Sequence, residues 1–441
     1  MNFESLDKLL QFFGDKGCDR VLVKELAPND NSKNQIYLGS DFSVLNLLPF
    51  SEVMADKGQV AGSKRERLKA QVQFAWAGND LSYNPVNLIM YPRYPEVRIS
   101  GLLKAKTAAK KVTALINSRD EGRLLFLGVT SKNQVIGHCS DSTEIISKEF
   151  HNQSRGNSFD QLGIFHSLSV KHEWKDPLDV IISALKPIVD REWIRSRRLN
   201  SSGNELKCEA PNCGGYTLEA LLGVIPNGLS EPDYEGWEVK QYGVPSFTSK
   251  ASKAITLMTP EPDGGLYRDE GVIPFVHKYG YKDRKIVDRL NFGGVHRTGQ
   301  THNTTGLQLH LDGYSENSPN KWNPQGAICL VDKDDQIAAR WAFSGLLEHW
   351  NRKHAQAVYV RSMVVKKPEW SYNFSNRIHL GINTNFNRFL ASIARGEIYY
   401  DPGIKIEEAF SGKQKVKRRS QFRVKSSNLD GLYKFFEEKV I

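Results

Sequence analysis

A chain of 441 residues is too long for one ordinary core, and about two or three domains is the expectation. Apolar residues make up 39% before its 35 glycines are counted, so it can bury a core, and no apolar run approaches the ~18 residues of a membrane span. Sixty basic against fifty acidic residues leave a net charge of +10, which favours a polyanionic partner without specifying a fold.

From the N-terminus, residues 6–13 and 105–116 show helical spacing. Residues 20–24, 35–38, 97–99, 124–127 and 134–136 read as short strands separated by turn signals such as Ala27-Pro-Asn-Asp-Asn-Ser32. Several short strands with two helices predict a small, mostly β, barrel-like domain. The basic stretches 64–69 and 104–111 read as solvated helix faces. Lys175-Asp-Pro177 marks a break, which divides the chain into domains at 1–176 and 177–441.

Beyond the break, residues 178–193 carry apolar side chains at helical spacing with Pro187 late in the run, and residues 201–215 read as an exposed loop. Residues 217–222, 343–350 and 386–394 read as helices. Residues 236–242, 306–311, 327–330, 357–364 and 397–406 read as strands. This alternation predicts an α/β domain with a mixed sheet, so the whole chain reads as a two-domain α+β protein. Cys18, Cys139, Cys208, Cys213 and Cys329 give an odd count and no disulfide framework. Cys208 and Cys213 read as two free thiols in a loop. With a start, Met1-Asn2-Phe3-Glu4-Ser5, that lacks a signal peptide's cationic and apolar blocks, this points to a reducing cytoplasm.

The chemistry concentrates in Glu231-Pro-Asp-Tyr-Glu-Gly-Trp-Glu-Val-Lys240, a turn feeding a strand. Strand side chains alternate, so Trp237 and Val239 share one face while Glu238 and Lys240 share the other. Asp233 meets Glu238 if the chain doubles back. Two converging carboxylates repel and need a cation, and oxygen-only ligands select a hard ion such as Mg²⁺. A lysine beside that ion can neutralise an anionic transition state and orient a water, which is the chemistry of phosphodiester hydrolysis. Upstream, Glu219 lies in the first turn of the helix expected at 217–222 and can aim at the same metal. The same pattern also arises as a solvated strand face with an ion pair two residues apart, and Glu231 or Glu235 fits Asp233's place on spacing alone. Residues 413–425 hold seven basic residues and no acid, which suits DNA because Arg forks match guanine edges and Lys neutralises phosphate.

Leu218-Glu-Ala-Leu-Leu222 with the 231–241 segment resembles the MutH-related branch of the PD-(D/E)xK nucleases, and within it the MvaI/BcnI restriction endonucleases. Thr259-Pro-Glu-Pro-Asp-Gly-Gly265, Ala394-Arg-Gly-Glu-Ile-Tyr-Tyr-Asp-Pro-Gly403 and Gln421-Phe-Arg-Val424 before a final helix agree. The resemblance runs from about residue 180 onward and implies a restriction-endonuclease-like fold. Glu219, Asp233, Glu238 and Lys240 would be catalytic, with Asp233 and Glu238 as Mg²⁺ ligands. The family reads bases with a strand arginine, a His-x-His segment and a final arginine. Here Lys405 takes the strand position and Arg423 the final one, while Lys417, Arg418 and Arg419 stand where the histidines would be.

In the N-terminal half, Val23-Lys-Glu-Leu-Ala-Pro-Asn-Asp30, Gln35 and Glu96-Val-Arg-Ile99 are similar to the effector domain of EcoRII, a DNA-binding pseudobarrel. The matching positions are Lys24, Asn29, Asp30, Gln35, Glu96 and Arg98. Arg98 can fork onto guanine and Glu96 can accept from a cytosine amino group, although the two also make an ordinary strand ion pair. Together the resemblances imply a type II, type IIE-like restriction endonuclease acting as a monomer on double-stranded DNA at two sites, one cleaved and one an effector copy. CCWGG is the implied target.

Overall fold

The computed structural model describes residues 2–28, 35–40, 42–56, 67–78, 80–92, 96–104, 110–155, 159–170, 177–225, 232–317 and 321–441. Its contacts divide the chain into two units, Met1–Lys175 and Asp176–Ile441.

In the first unit the Ser5 hydroxyl accepts from the backbone N–H of Lys8 and so opens the helix Leu6–Asp15. A ten-stranded sheet follows the order Gln35–Gly39, Glu96–Ser100, Asn84–Tyr91, Leu68–Trp76, Val135–Ser140, Arg123–Thr130, Cys18–Leu26, Phe165–Ser169, Asp160–Leu162. Met54–Ala55 pairs on Leu68–Trp76 as the tenth strand. Its pairs are antiparallel except Leu68–Trp76 against Val135–Ser140. Val135–Ser140 is buried at every position and Arg123–Thr130 nearly so, which explains runs of apolar residues rather than alternation. Leu6, Leu9 and Phe13 from the first helix and Ile146 and Phe150 from the helix Ile145–Arg155 pack on Val21, Val23, Leu124 and Phe126.

The helix-face reading of residues 64–69 is corrected where the chain is described. Leu68 and Lys69 begin a strand, and Lys69 pairs with Asp56 at 2.8 Å. The period-two pattern of Leu68–Trp76 buries Leu68, Ala70, Val72 and Phe74. Of the helix expected at 105–116, the described part is Lys110–Asn117.

The second unit is built on a mixed sheet. Glu238–Gly243 runs parallel to Gln356–Val365, which lies antiparallel to Ser371–Ile382. Ile194–Arg195 and Phe435–Val440 pair along the far side of Ser371–Ile382. One face carries Trp237, Val239, Val358, Val360, Tyr372 and Phe374, packed against Ile181, Leu185 and Ile188 of the helix Pro177–Val189 and against Leu218. The other face carries Glu238, Lys240 and Tyr359. A four-stranded antiparallel sheet, Tyr281–Lys282, Arg289–Gly293, Gly403–Glu407, Lys415–Lys417, lies elsewhere in the unit. Among the described residues no helix is long and apolar enough to cross a membrane.

Three expectations are overturned here. Cys208 and Cys213 are not free thiols: they form a disulfide with Cα atoms 5.8 Å apart, which withdraws the cysteine argument for a reducing compartment. The last element is the strand Phe435–Val440, not a helix, because it completes the sheet beside Ser371–Ile382. The helix expected at 217–222 begins earlier, at Cys213, so Glu219 sits towards its C-terminal end rather than in its first turn.

Candidate active site

Asp233 is delivered by a tight hairpin. Tyr234 and Trp237 exchange backbone hydrogen bonds of 3.0 and 2.7 Å. Between them Glu235 and Gly236 have φ of 44° and 84°. Two left-handed residues in succession make a type I′ turn, which suits glycine at the second position and folds the chain back on itself. Asp233 Oδ2 then accepts from the Val239 backbone N–H at 3.0 Å, which ties it to the start of the strand Glu238–Gly243. Glu235 projects from the exposed tip, and Glu231 lies outside the described residues.

Glu238 is wholly buried. Its Oε1 accepts from the Lys240 ammonium and faces Lys353 Nζ at 3.5 Å. Lys353 also stands 3.9 Å from Asp233 Oδ1. Burial, then the neighbouring Asp233, pushes the Glu238 carboxyl up to about 7 against the pull of Lys240 and Lys353. Burial and Asp233 also raise the Glu219 carboxyl. Burial pulls the Lys240 ammonium down, but Glu238, Asp233 and Glu219 outweigh it and leave its pKa raised.

Glu219, Lys240, Lys353, His349 and Arg423 line one cleft of about 740 Å³, floored by Val239, Gln241 and the strand Ala254–Met258. Glu219 comes from the helix Cys213–Leu221, whose entry the Cys208–Cys213 disulfide fastens. Gly214 of that helix admits the Gln241 side chain: a Cβ there would stand 2.5 Å from Gln241 Oε1.

The donor set fits a hard divalent cation. Glu238 Oε2 is buried without a hydrogen-bond partner, and an anionic oxygen so placed is costly unless a cation meets it. Among the described residues no three His, Cys, Asp or Glu side chains group tightly enough to hold an ion alone. Mg²⁺ commonly takes one or two carboxylates and completes its shell with water and phosphate oxygens. Lys353 was not found by sequence reasoning. It lies on the helix Phe343–His354, far along the chain from Lys240, and no local spacing joins them.

The basic candidates fall in two places. Arg423, on the strand Phe422–Lys425, lines the cleft, donates to Asp401 Oδ2 at 2.6 Å and to the Ala254 carbonyl at 3.1 Å. Lys405 and Lys417 are register partners and exposed on the four-stranded sheet, where Lys417 pairs with Glu407 at 3.1 Å. Arg418 and Arg419 are exposed just beyond. His296 is buried, its ring nitrogens against Gly294 O and Thr305 Oγ1.

In the first unit, Gln35, Glu96 and Arg98 share the outermost pair of strands, Gln35–Gly39 and Glu96–Ser100. Arg98 forks onto Glu96 through bonds of 3.0 and 3.2 Å, and Tyr91 Oη lies 3.5 Å from Gln35 Oε1. Lys24 does not join them: it is 3% exposed and donates to the Glu25 carbonyl. Asn29 and Asp30 lie outside the described residues.

The model of the MvaI/BcnI restriction endonuclease family matches residues 182–433. No curated protein matches the chain. Among solved structures, the complex of restriction endonuclease MvaI with cognate DNA substrate is 20% identical, with a TM-score of 0.45, covering 61% of this chain and 99% of that one. MvaI in the absence of DNA is 20% identical with a TM-score of 0.34, covering 62% and 100%.

Proposed function

The chain belongs to the MvaI/BcnI restriction endonuclease family, whose members are DNA-cleaving hydrolases, and we propose that it hydrolyses duplex DNA site-specifically with Mg²⁺. The observation that carries this reading is the buried Glu238, one oxygen of which has no partner, held against Lys240 and Lys353; those two lysines line a cleft with Glu219, and Asp233 faces Lys353. Asp233 and Glu238 are the residues that would hold the ion. When bound, Mg²⁺ polarises the phosphoryl group and lowers the pKa of its water.

The chain's own residues do the rest. Lys240 stands beside Glu238 and is placed to donate to a non-bridging phosphate oxygen as negative charge develops. Glu219, raised by burial, is suited to orient the attacking water. The Val239 amide holds Asp233 in position, so its carboxylate need not be reordered at each turnover. Cleavage leaves a 5′-phosphate and a 3′-hydroxyl.

The proposal extends to a type IIE-like arrangement with CCWGG as target. The first unit, through Asn29, Asp30, Gln35, Glu96 and Arg98, binds an effector copy as a pseudobarrel; Lys24, which is buried, is not part of that contact. The second unit reads its own copy through Lys405, Lys417, Arg418, Arg419 and Arg423 and acts as a monomer. The half-exposed polar strip of Gln35, Glu96 and Arg98 supports that assignment. The other readings are a MutH-like nicking repair enzyme and a non-catalytic DNA-binding regulator. Supercoiled plasmid incubated with and without Mg²⁺ separates them: discrete fragments support restriction, nicked circles the repair enzyme, and unchanged plasmid the regulator.

A further inference from the structure

Two loops meet at one end of the four-stranded sheet. Arg289 pairs with Glu407 in the register, so the loop before the first and the turn after the second are neighbours. They are tied together: the Asp288 carboxylate accepts from the Phe410 N–H at 3.0 Å and the Asp288 carbonyl from the Ala409 N–H at 3.2 Å. From this joined tip project Val287, 92% exposed, Phe410, 63% exposed, and Ile286, 43% exposed. No other exposed large apolar side chain among the described residues stands as far out as Val287.

The charges around the tip are sorted by direction. Asp283 turns inward, accepting from Asn291 Nδ2 and from the backbone N–H groups of Lys285 and Ile286. Asp288 is spent on Phe410, and Glu408 is paired with Lys415 at 2.5 Å. Arg284, Lys285 and Lys413 are left exposed beside the apolar side chains. The same sheet carries exposed Lys405 and Lys417 along its length. Apolar residues so exposed cost solubility and signal a contact, and a cationic collar around them favours a polyanion whose interior is apolar.

Resting on the endonuclease reading above, we propose that this tip is a DNA-contacting wedge. Val287 and Phe410 press into a groove of the duplex beside the cleaved site, against sugars and base edges, while Arg284, Lys285 and Lys413 neutralise the flanking phosphates. The wedge adds grip without base reading.

The test uses the full chain on a CCWGG duplex. A benzophenone amino acid at position 410, irradiated on the duplex in Ca²⁺, should crosslink to DNA. Val287→Ser with Phe410→Ser should raise the DNA concentration for half-maximal cleavage about tenfold, the effect of losing partial apolar burial at two side chains, while maximal rate holds. Lys285→Ala should lower the salt slope of binding by about one unit. If wild-type protein cleaves but the serine variant keeps the wild-type concentration dependence and no DNA crosslink forms, the wedge is refuted and the endonuclease reading stands. A crosslink to a second copy of the chain also refutes it. If wild-type protein neither binds nor cuts, both readings fall.

Discussion

Divalent-cation binding should release a proton, because the ion and the proton compete for Glu238. Its carboxyl is moved from an ordinary 4.5 up to about 7 by burial, with Asp233 adding to the shift. A carboxylate raised in this way behaves opposite to the usual surface acid: the folded protein holds the extra proton between those two values. Without metal, the cost of ionising Glu238 is absent below 4.5, grows through the window, and is complete above about 7. A shift of that size corresponds to about 3 kcal/mol. Apparent Ca²⁺ affinity should therefore fall about tenfold for each pH unit below the Glu238 midpoint and level off above it. Calorimetric titration with Ca²⁺ in two buffers of different ionisation enthalpy counts the proton directly. About one should be released a pH unit below the midpoint, and almost none two units above it. Glu238→Gln should abolish both the binding and the release. Stability against pH alone would mislead, since burial pulls His296 down to about 4 and His354 well below its ordinary value. Those histidines lose stability as pH falls below about 6.5, the opposite sign. Ca²⁺ affinity that ignores pH across the window would refute the assignment of Glu238 as a buried ligand.

The remaining predictions concern single side chains. Asp233→Ala should abolish cleavage while site-specific binding survives in Ca²⁺, read by gel shift beside a digest; full activity would move the ligand to Glu231 or Glu235. Lys353→Met should tighten Ca²⁺ binding roughly three- to tenfold, because it removes an ammonium competing for Asp233 and Glu238. Unchanged Ca²⁺ affinity would show that Lys353 does not act on the ion's seat. Arg98→Ala and Arg423→Ala should each cost ~1–3 kcal/mol at the cognate site and far less on scrambled duplex. A uniform, salt-dependent loss in competition binding would make both of them phosphate contacts.

Local chemistry made part of this site legible in the sequence. Glu238 and Lys240 are two residues apart on a strand, so the pleat alone puts them on one face. Pro232-Asp233 before Glu235-Gly236 announces a turn that doubles the chain back. Lys353 carried no such signal, since only the parallel pairing of Glu238–Gly243 with Gln356–Val365 brings its helix alongside. The Cys208–Cys213 bridge was equally hidden, because the spacing permits a disulfide or two thiols and helix entry geometry decides. The final strand was misread for a related reason. Phe435-Phe-Glu-Glu-Lys-Val440 is rich in helix-favouring residues, but pairing with Ser371–Ile382 overrides that local preference. In the first unit, the basic run before Leu68 masked the alternation that begins there.

Single-turnover digestion of an end-labelled CCWGG duplex by wild-type protein and by Glu238→Ala, each with Mg²⁺, tests the central claim most directly. The wild type should give one discrete product per strand with a 5′-phosphate, and the variant should leave the duplex intact but still bound. Cleavage by Glu238→Ala at the wild-type rate, or no cleavage by a wild-type protein that binds the site and Mg²⁺, would contradict that claim.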